Sequence, residues 1–525
     1  MSGCGSSTGR ARADNRGMNR PGVVIILPCG LTVGGVTSWA VRLVNGLCHE
    51  RPSGLVLHRA APGATELRSR LDSAVRVFDL REIASVEDAN GDIAWLARAY
   101  GEVVSKMGGR VVMIPTLLGD CVGACAALTQ DESLDVRVVG SAHSENGYDT
   151  RVLEHYQEAT SAALGVSARL TNDLRKKWNG READVVYIPT GVESGGTRVP
   201  ASGSRTIVYT GRLDEGVKRV SALVHMSDSL AARGEPHELV IVGDGPAGCT
   251  INEMIAARER DSSRRIVRIA STGPEEVRTI LRRSEFFVLP SRFEGLSVSM
   301  LEAMSEGCCC VVTAENSGAS EAIEHGVNGM LLETESGAPA ERAGEDLARV
   351  IVSTSREQAA HMGRRAREVV ESRFSLEKQV RAVSELIERV AAGAPRRWPR
   401  EREAAFTAKP GAVGSGTVPR DADVRLRLVM DSLRGRKVGV HGTGRHSVEL
   451  AHVLGEYAAE IRAFVDDDPA RQGVEFLGKP VVASGVLAKI GATDVVISSH
   501  LHQEAIWSKR DEYERVGVRV HRLYA

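Results

Sequence analysis

From residue 21 onward, short β-branched runs alternate with longer amphipathic segments. VVIIL (23–27), VVMIP (111–115), VRVVGS (136–141) and DVVYIP (184–189) are apolar along their whole length, not at every second position. Strands of a parallel sheet covered on both faces read this way. The pattern stops at the polar stretch SGGTRVPASGS (194–204) and then restarts. TIVYTG, ELVIVG, RIVRIA, FFVLPS and CCCVVT follow, each trailed by a helix-like segment. Two successive doubly wound α/β units are predicted. LEKQVRAVSELIERVAA (376–392) then reads as one amphipathic helix, and 394–420 as a polar linker containing Pro and Gly. A third restart near 436 (KVGVHGTG, EIRAFVDD, KPVVA, DVVISS, VRVHRLYA) predicts a shorter α/β unit. The expected organisation is a tail over 1–20, α/β domains over 21–195 and 204–372, a crossover helix over 373–392, a linker over 393–420 and a last domain over 421–525.

Composition narrows the function classes. With 525 residues, 42% hydrophobic and 26% charged, the chain can bury several cores and is neither disordered nor fibrous. The 67 basic and 68 acidic residues cancel to a net charge of −1, so no global field attracts nucleic acid or an anionic membrane. Aromatic residues at 4% are too few for a base-stacking platform, and no nucleic-acid partner is expected. The nine cysteines include the run Cys308, Cys309 and Cys310 in an apolar strand, and Cys121 and Cys125 at helical spacing without a zinc-ligand partner pair. Buried, reduced thiols and no metal are expected. Arg10, Arg12, Arg16 and Arg20 precede Val23–Leu27 as in a signal peptide, but Pro28, Gly30, Gly34 and Gly35 break the run. With no apolar stretch of about 18 residues, a cytoplasmic location is expected.

Three segments carry candidate chemistry. In PCGLTVGGVTSWAVRLVNGL (28–47), a strand ends at Leu27 and a glycine loop leads into a helix near Thr37. Gly34 and Gly35 let a phosphate approach the backbone NH groups and the positive helix end, or serve tight packing alone. TGRLDEGVKRV (210–220) places Arg212 and Lys218 at the carboxyl edge of the second unit, where open α/β sheets bind ligands. That pair suits a diphosphate leaving group, or is a solvated loop. FFVLPSRFEGLSVSMLEAMSEG (286–307) reads as strand, turn and a helix from near Leu296. Glu294 then precedes the helix, Glu302 lies about two turns in, and Ser297 and its neighbours offer free NH groups.

These stretches, with LVIVGDGP (239–246), IPTGV (188–192) and GASEAIEHGVNGMLL (318–332), resemble the retaining family-4 glycosyltransferases of the GT-B fold over about residues 22–390. The resemblance implies an α/β fold of two doubly wound Rossmann-like domains facing a cleft. It gives Arg212 and Lys218 the donor diphosphate, Glu302 the nucleotide ribose, and Glu294 a place by the donor sugar. It sets Leu296 and Ser297 at the phosphates or sugar, Gly34 and Gly35 under the diphosphate, and His143 of VVGSAHSENGY at the donor sugar. For His143 the bland alternative is a hydrogen bond to Ser141 or Ser144 at a strand end. The run CCCVVT replaces a more usual Pro-containing strand. Arg212, Lys218 and helix ends can stabilise the departing diphosphate without a metal or cofactor.

The implied activity is that of a retaining hexosyltransferase taking a sugar from a nucleotide sugar, expected to be a UDP-sugar. A hydroxyl of a cell-envelope or exopolysaccharide glycan, free or lipid-linked, is the expected acceptor. PRRWPRER (395–402) could rest peripherally on the inner membrane face or be a solvated linker. The alternatives are a sugar-nucleotide epimerase or phosphorylase on the same architecture, or a non-catalytic sugar-nucleotide-binding scaffold. In the third unit, VGVHGTGRHS with Asp466 about 20 residues on follows the dinucleotide pattern. The block FVDDDPARQGVEFLGKPVV (464–482) resembles the small Rossmann-like domain of sugar acyltransferases and some sugar methyltransferases, which implies either binding of a nucleotide, sugar nucleotide or NAD-like ligand, or an interaction module. Asp466, Asp467 and Asp468 are not expected to bind a metal.

Overall fold

A computed structural model describes residues 20–28, 30–31, 34–58, 68, 70–80, 93–116, 119–143, 147–199, 203–258, 264–270, 272–315, 317–335, 337–402, 422–468, 471–499 and 503–524. The chain divides into two compact units, 1–406 and 407–525. The first unit holds two sheets.

The first sheet contains β1 (Gly22–Leu27), β2 (Ser53–Leu57), β3 (Arg76–Asp79), β4 (Val111–Pro115), β5 (Val136–Ala142), β6 (Ala162–Gly165) and β7 (Val185–Tyr187). Their order is β3-β2-β1-β4-β5-β6-β7, and the pairs are parallel. Ile25 of β1 lies between Leu55 and Ile114, so the most apolar run takes the centre. Val23, Val24, Ile25 and Ile26 are fully buried, each contributing about 1.5–3 kcal/mol of apolar burial. The second sheet contains β8 (Arg205–Thr210), β9 (His237–Val242), β10 (Arg264–Ile269), β11 (Phe286–Leu289), β12 (Cys309–Thr313) and β13 (Met330–Leu332), in the order β10-β9-β8-β11-β12-β13. In both sheets the order reverses beside the first strand. That reversal opens a crevice at the carboxyl ends of β1 and β4, and of β8 and β11.

Two chain segments cross between the halves and pair there: Val192 N donates to Phe374 O (2.9 Å) and Leu376 N to Val192 O (2.9 Å). The helix Leu376–Ala392 then returns to the first half, where Val383, Leu386, Ile387 and Val390 join its core. The stretch beginning at 393, expected as a solvated linker, is packed over its described part. Trp398 is 1% exposed, lies 5.2 Å from the Tyr156 ring, and its backbone N donates to Thr129 Oγ1 (2.9 Å). Arg396, Arg400 and Arg402 pair with Asp184, Glu132 and Glu158 of the first half, so the basic stretch is neutralised where it lies. Residues 403–420 lie outside the described residues.

The unit 407–525 contains β14 (Val438–His441), β15 (Ile461–Val465), β16 (Glu475–Phe476), β17 (Lys479–Val482), β18 (Asp494–Ile497) and β19 (Arg519–Arg522), in the order β16-β17-β15-β14-β18-β19. Only the β16–β17 pair among these is antiparallel.

Cys308, Cys309 and Cys310 are wholly buried, and burial pushes the thiols of Cys308 and Cys309 up to about 11 and about 12. The triple-cysteine run therefore behaves as small apolar filling. Cys249, in contrast, is exposed. No helix among the described residues is long and apolar enough to cross a membrane.

Candidate functional site

The loops after β8 and β11 stand side by side at the second sheet's crevice. Asp214 caps the short helix Glu215–Lys218 by accepting from Val217 N (3.0 Å). Arg292 N, in the loop after β11, donates to Val217 O (2.8 Å) and fastens the two loops together. Lys218 Nζ makes an ion pair with Glu294 Oε1, and Ser291 Oγ donates to the same oxygen (2.7 Å). Arg212 is different: its side chain is 55% exposed, 4.0 Å from Asp214. The LVIVGDGP turn closes the floor, because Gly243 runs so near Gly211 that a Cβ would fall 1.8 Å from Gly211 O.

Leu296 is buried and Ser297 caps the helix Val298–Ser305, its hydroxyl accepting from Met300 N. The helix starts two residues later than expected because Ser297 supplies the cap and keeps an extended backbone. In the first half the helix Gly35–Cys48 begins two residues earlier than expected, at an N-cap glycine, Gly34, that makes no side-chain bond. The helix ends of the two halves meet: a Cβ on Gly35 would lie 3.3 Å from Val298 Cγ2. Gly34 itself has open space around its Cβ position. The N-termini of two helices thus converge on one spot, an arrangement suited to an anion.

His143 follows β5 on the first half. Its Nε2 lies 3.1 Å from Ser141 Oγ, its ring stands edge-on to Trp39 at 4.6 Å, and its backbone N donates to Asp149 Oδ2 (2.7 Å). Burial pushes its pKa down to about 3, so the imidazole is neutral at pH 7. The bond to Ser141 is the one the bland reading predicts; Ser144 lies outside the described residues. Across the cleft, Gly295 comes so close that a Cβ there would sit 2.8 Å from His143 O.

Four contributors escape the sequence reading. Arg42, two turns into the Gly35–Cys48 helix, makes ion pairs with Glu302 Oε1 and with Glu193 Oε2 (3.1 Å). Glu193 belongs to the crossing segment. Glu321 of the GASEAIEHG motif accepts from Ala168 N (2.7 Å) and from Tyr187 OH (2.9 Å), both in the first half. Arg42, Gly295 and Glu321 stood within quoted motifs, but nothing there marks a contact partner more than 100 residues away. Among the described residues, Cys48, His49 and Asp72 bring a thiol, an imidazole and a carboxylate within 4.8 Å, at the other end of the same helix. In the unit 407–525, Asp466 accepts from Thr443 N (3.2 Å) and Asp468 N (3.0 Å), and Asp467 pairs with Lys509 (2.8 Å). Those carboxylates are already bonded within their own unit.

Residues 204–351 match the family model described as Glycosyl transferases group 1. Solved structures share the architecture: a glycosyltransferase from Rickettsia africae at TM-score 0.56 and 16% identity, over 72% of this chain and all of that one. Anabaena Alr3699/HepE in complex with UDP-glucose gives TM-score 0.54 and 16% identity, over 70% and 99%. The fold is GT-B.

Among curated relatives, the GT-B chain is 32% identical over 130 residues to an alpha-D-kanosaminyltransferase of Streptomyces kanamyceticus, covering 24% of this chain and 32% of that protein. It is 30% identical over 194 residues to the amylovoran biosynthesis glycosyltransferase AmsK of Erwinia amylovora, covering 35% and 45%. The aligned regions thus span less than half of these relatives' length.

Proposed function

We propose that the chain is a retaining, metal-independent hexosyltransferase that moves a sugar from a UDP-sugar to a hydroxyl of a cell-envelope or exopolysaccharide glycan. The observation that carries this reading is the crevice of the second sheet. There Arg212, Lys218, Glu294 and Glu302 gather inside the region that matches Glycosyl transferases group 1, opposite the Gly35–Cys48 helix. The donor diphosphate lies between the two helix ends, with Gly34 and Gly35 beneath it and the amides at Leu296 and Ser297 turned to it. Arg212 contacts it from the exposed side, and Lys218 exchanges Glu294 for phosphate as charge builds on the leaving group. Glu302 takes the ribose hydroxyls. Glu294, released from Lys218, and the neutral His143 face the sugar ring. The acceptor hydroxyl attacks from the face the nucleotide leaves, which retains the anomeric configuration. The names of AmsK and of the HepE complex agree with a polysaccharide product and a UDP-sugar donor.

Thermal unfolding of the full chain with UDP, GDP, ADP and NAD tests the donor site. A nucleotide at about 100 times its dissociation constant stabilises the domain that binds it by roughly 2.7 kcal/mol. UDP is expected to give that shift and Glu302→Ala to remove it. Absence of a shift with every nucleotide would sink the reading. NMR of the product's anomeric proton then distinguishes retention from inversion.

A further inference from the structure

Arg42 stands at a three-way junction. It projects from the Gly35–Cys48 helix of the first half, bonds Glu302 on the Val298–Ser305 helix of the second half, and bonds Glu193 on the segment that crosses between them. The two helices touch at their starts, where Gly35 meets Val298. Glu302 lies four residues further on, roughly 6 Å along its axis. Arg42 holds one oxygen of that carboxylate, Oε1, and among the described residues no bond holds Oε2. The Glu302 side chain is 24% exposed, so the second oxygen remains open to a ligand. Arg42 itself is largely enclosed, at 14% exposure, and among the described residues its buried Nη1 has no partner. Its burial works against the charge, and Glu302 and Glu193 outweigh it, holding the guanidinium above its ordinary pKa.

A glutamate carboxylate, on three rotatable bonds, does not present a fixed acceptor unless something holds it. A guanidinium fork, rigid and always charged, does this while leaving the second oxygen open. We propose that Arg42 is a positioning residue of the donor site: it fixes Glu302 for the nucleotide ribose and, through Glu193, ties ribose recognition to the crossing segment between the halves. The inference rests on the donor reading of Glu302 given above. Loss of Arg42 leaves two carboxylates unneutralised beside a site for an anion, and it frees Glu302 to turn.

Titration calorimetry on the full chain separates this role from a merely structural one. The probes are whichever of UDP, GDP and ADP binds most tightly, and its 2′,3′-dideoxy form. The wild type is expected to prefer the ribonucleotide at least tenfold. Arg42→Ala should weaken ribonucleotide binding about 10- to 100-fold and bring the ribo-to-dideoxy ratio below about 3. Arg42→Lys keeps a charge but reaches one carboxylate at a time, so it should restore part of that ratio. A ratio in Arg42→Ala equal to that of the wild type overturns the inference, even where overall affinity falls. Should Arg42→Ala melt more than about 10 °C below the wild type, Arg42→Lys decides, and an undiminished ratio there overturns it. A wild type that binds no nucleotide, or shows no ribose preference, overturns the donor reading of Glu302 first and this inference with it.

Discussion

Replacing Gly295 with alanine puts one methyl group between the two halves of the GT-B cleft. Its Cβ would sit 2.8 Å from His143 O, closer than real Cβ contacts come, and the obstacle is a backbone carbonyl. Neither side gives easily. His143 N is held by Asp149, and Gly295 O accepts from Gly318 N at 3.2 Å. The cheapest relief is to move the halves apart by a few tenths of an ångström and leave both cores intact. Overpacking of this kind costs about 1–3 kcal/mol, here charged to closure, which makes closed molecules roughly 5- to 150-fold rarer. A ligand that needs both halves should lose affinity accordingly, while one held by the second half alone should lose less. Calorimetry with UDP-glucose and UDP reads the difference: UDP-glucose is expected to weaken at least tenfold and UDP by less than half as much in log units. Melting of the free protein should fall by no more than a few degrees. Equal affinity for UDP-glucose in a folded Gly295→Ala protein would refute the reasoning. So would a large drop in free-protein melting, because the strain would then lie within a core.

Arg212→Ala and Lys218→Ala should differ in kind. Arg212 is exposed and loosely paired, so its loss should leave unfolding within about 0.5 kcal/mol of wild type while weakening UDP binding, as calorimetry would show. Lys218 covers a Glu294 carboxylate that is only 12% exposed, so its loss should also lower stability, by about 1–3 kcal/mol, measured by urea unfolding. Acid should act through His58 and His143, whose pKa values burial lowers to about 4 and about 3. Unfolded, each takes up its proton near pH 6.5, well before the folded protein does. Stability present above pH 6.5 is therefore lost as pH falls toward 4 for His58 and toward 3 for His143, by up to roughly 1.4 kcal/mol per pH unit for each imidazole. Urea midpoints at pH 7.5 and 5.0 should show this, and His58→Gln should shrink the drop; an equal drop in that variant would exclude His58 as a cause.

The fold was legible because its signal is local. Runs such as VVIIL and FFVLPS are apolar at every position, and a strand buried on both faces is the structure that tolerates this. The loops carrying Arg212, Lys218 and Glu294 could be placed because parallel sheets bring the carboxyl ends of their strands to one edge. Helix starts shifted by two residues since capping depends on one side chain, present at Ser297 and missing at Gly34. What could not be read depends on distance in sequence. Arg42 meets Glu302 across 260 residues and Glu321 meets Ala168 across 153, and neither separation leaves a trace in spacing or periodicity. Trp398 lay in a segment whose Pro, Arg and Glu content argues for solvent. Its burial is decided by Tyr156 and Thr129 on the surface it covers.

The ion pairs divide the work of the cleft in an unequal way. Of the three cations Arg42, Arg212 and Lys218, two rest on carboxylates, and Arg212 stands 4.0 Å from Asp214. On the proposed donor reading, a diphosphate can bind Arg212 without breaking a close pair. Lys218 can follow only by leaving Glu294, and on that reading the exchange uncovers a carboxylate beside the sugar ring. On the same reading Arg42 has no such exchange to make, because among the described residues no bond holds Glu302 Oε2. On the proposed donor reading, the pairing implies an order: phosphate capture by Arg212, release of Glu294 by Lys218, and ribose held by a carboxylate that stays paired with Arg42.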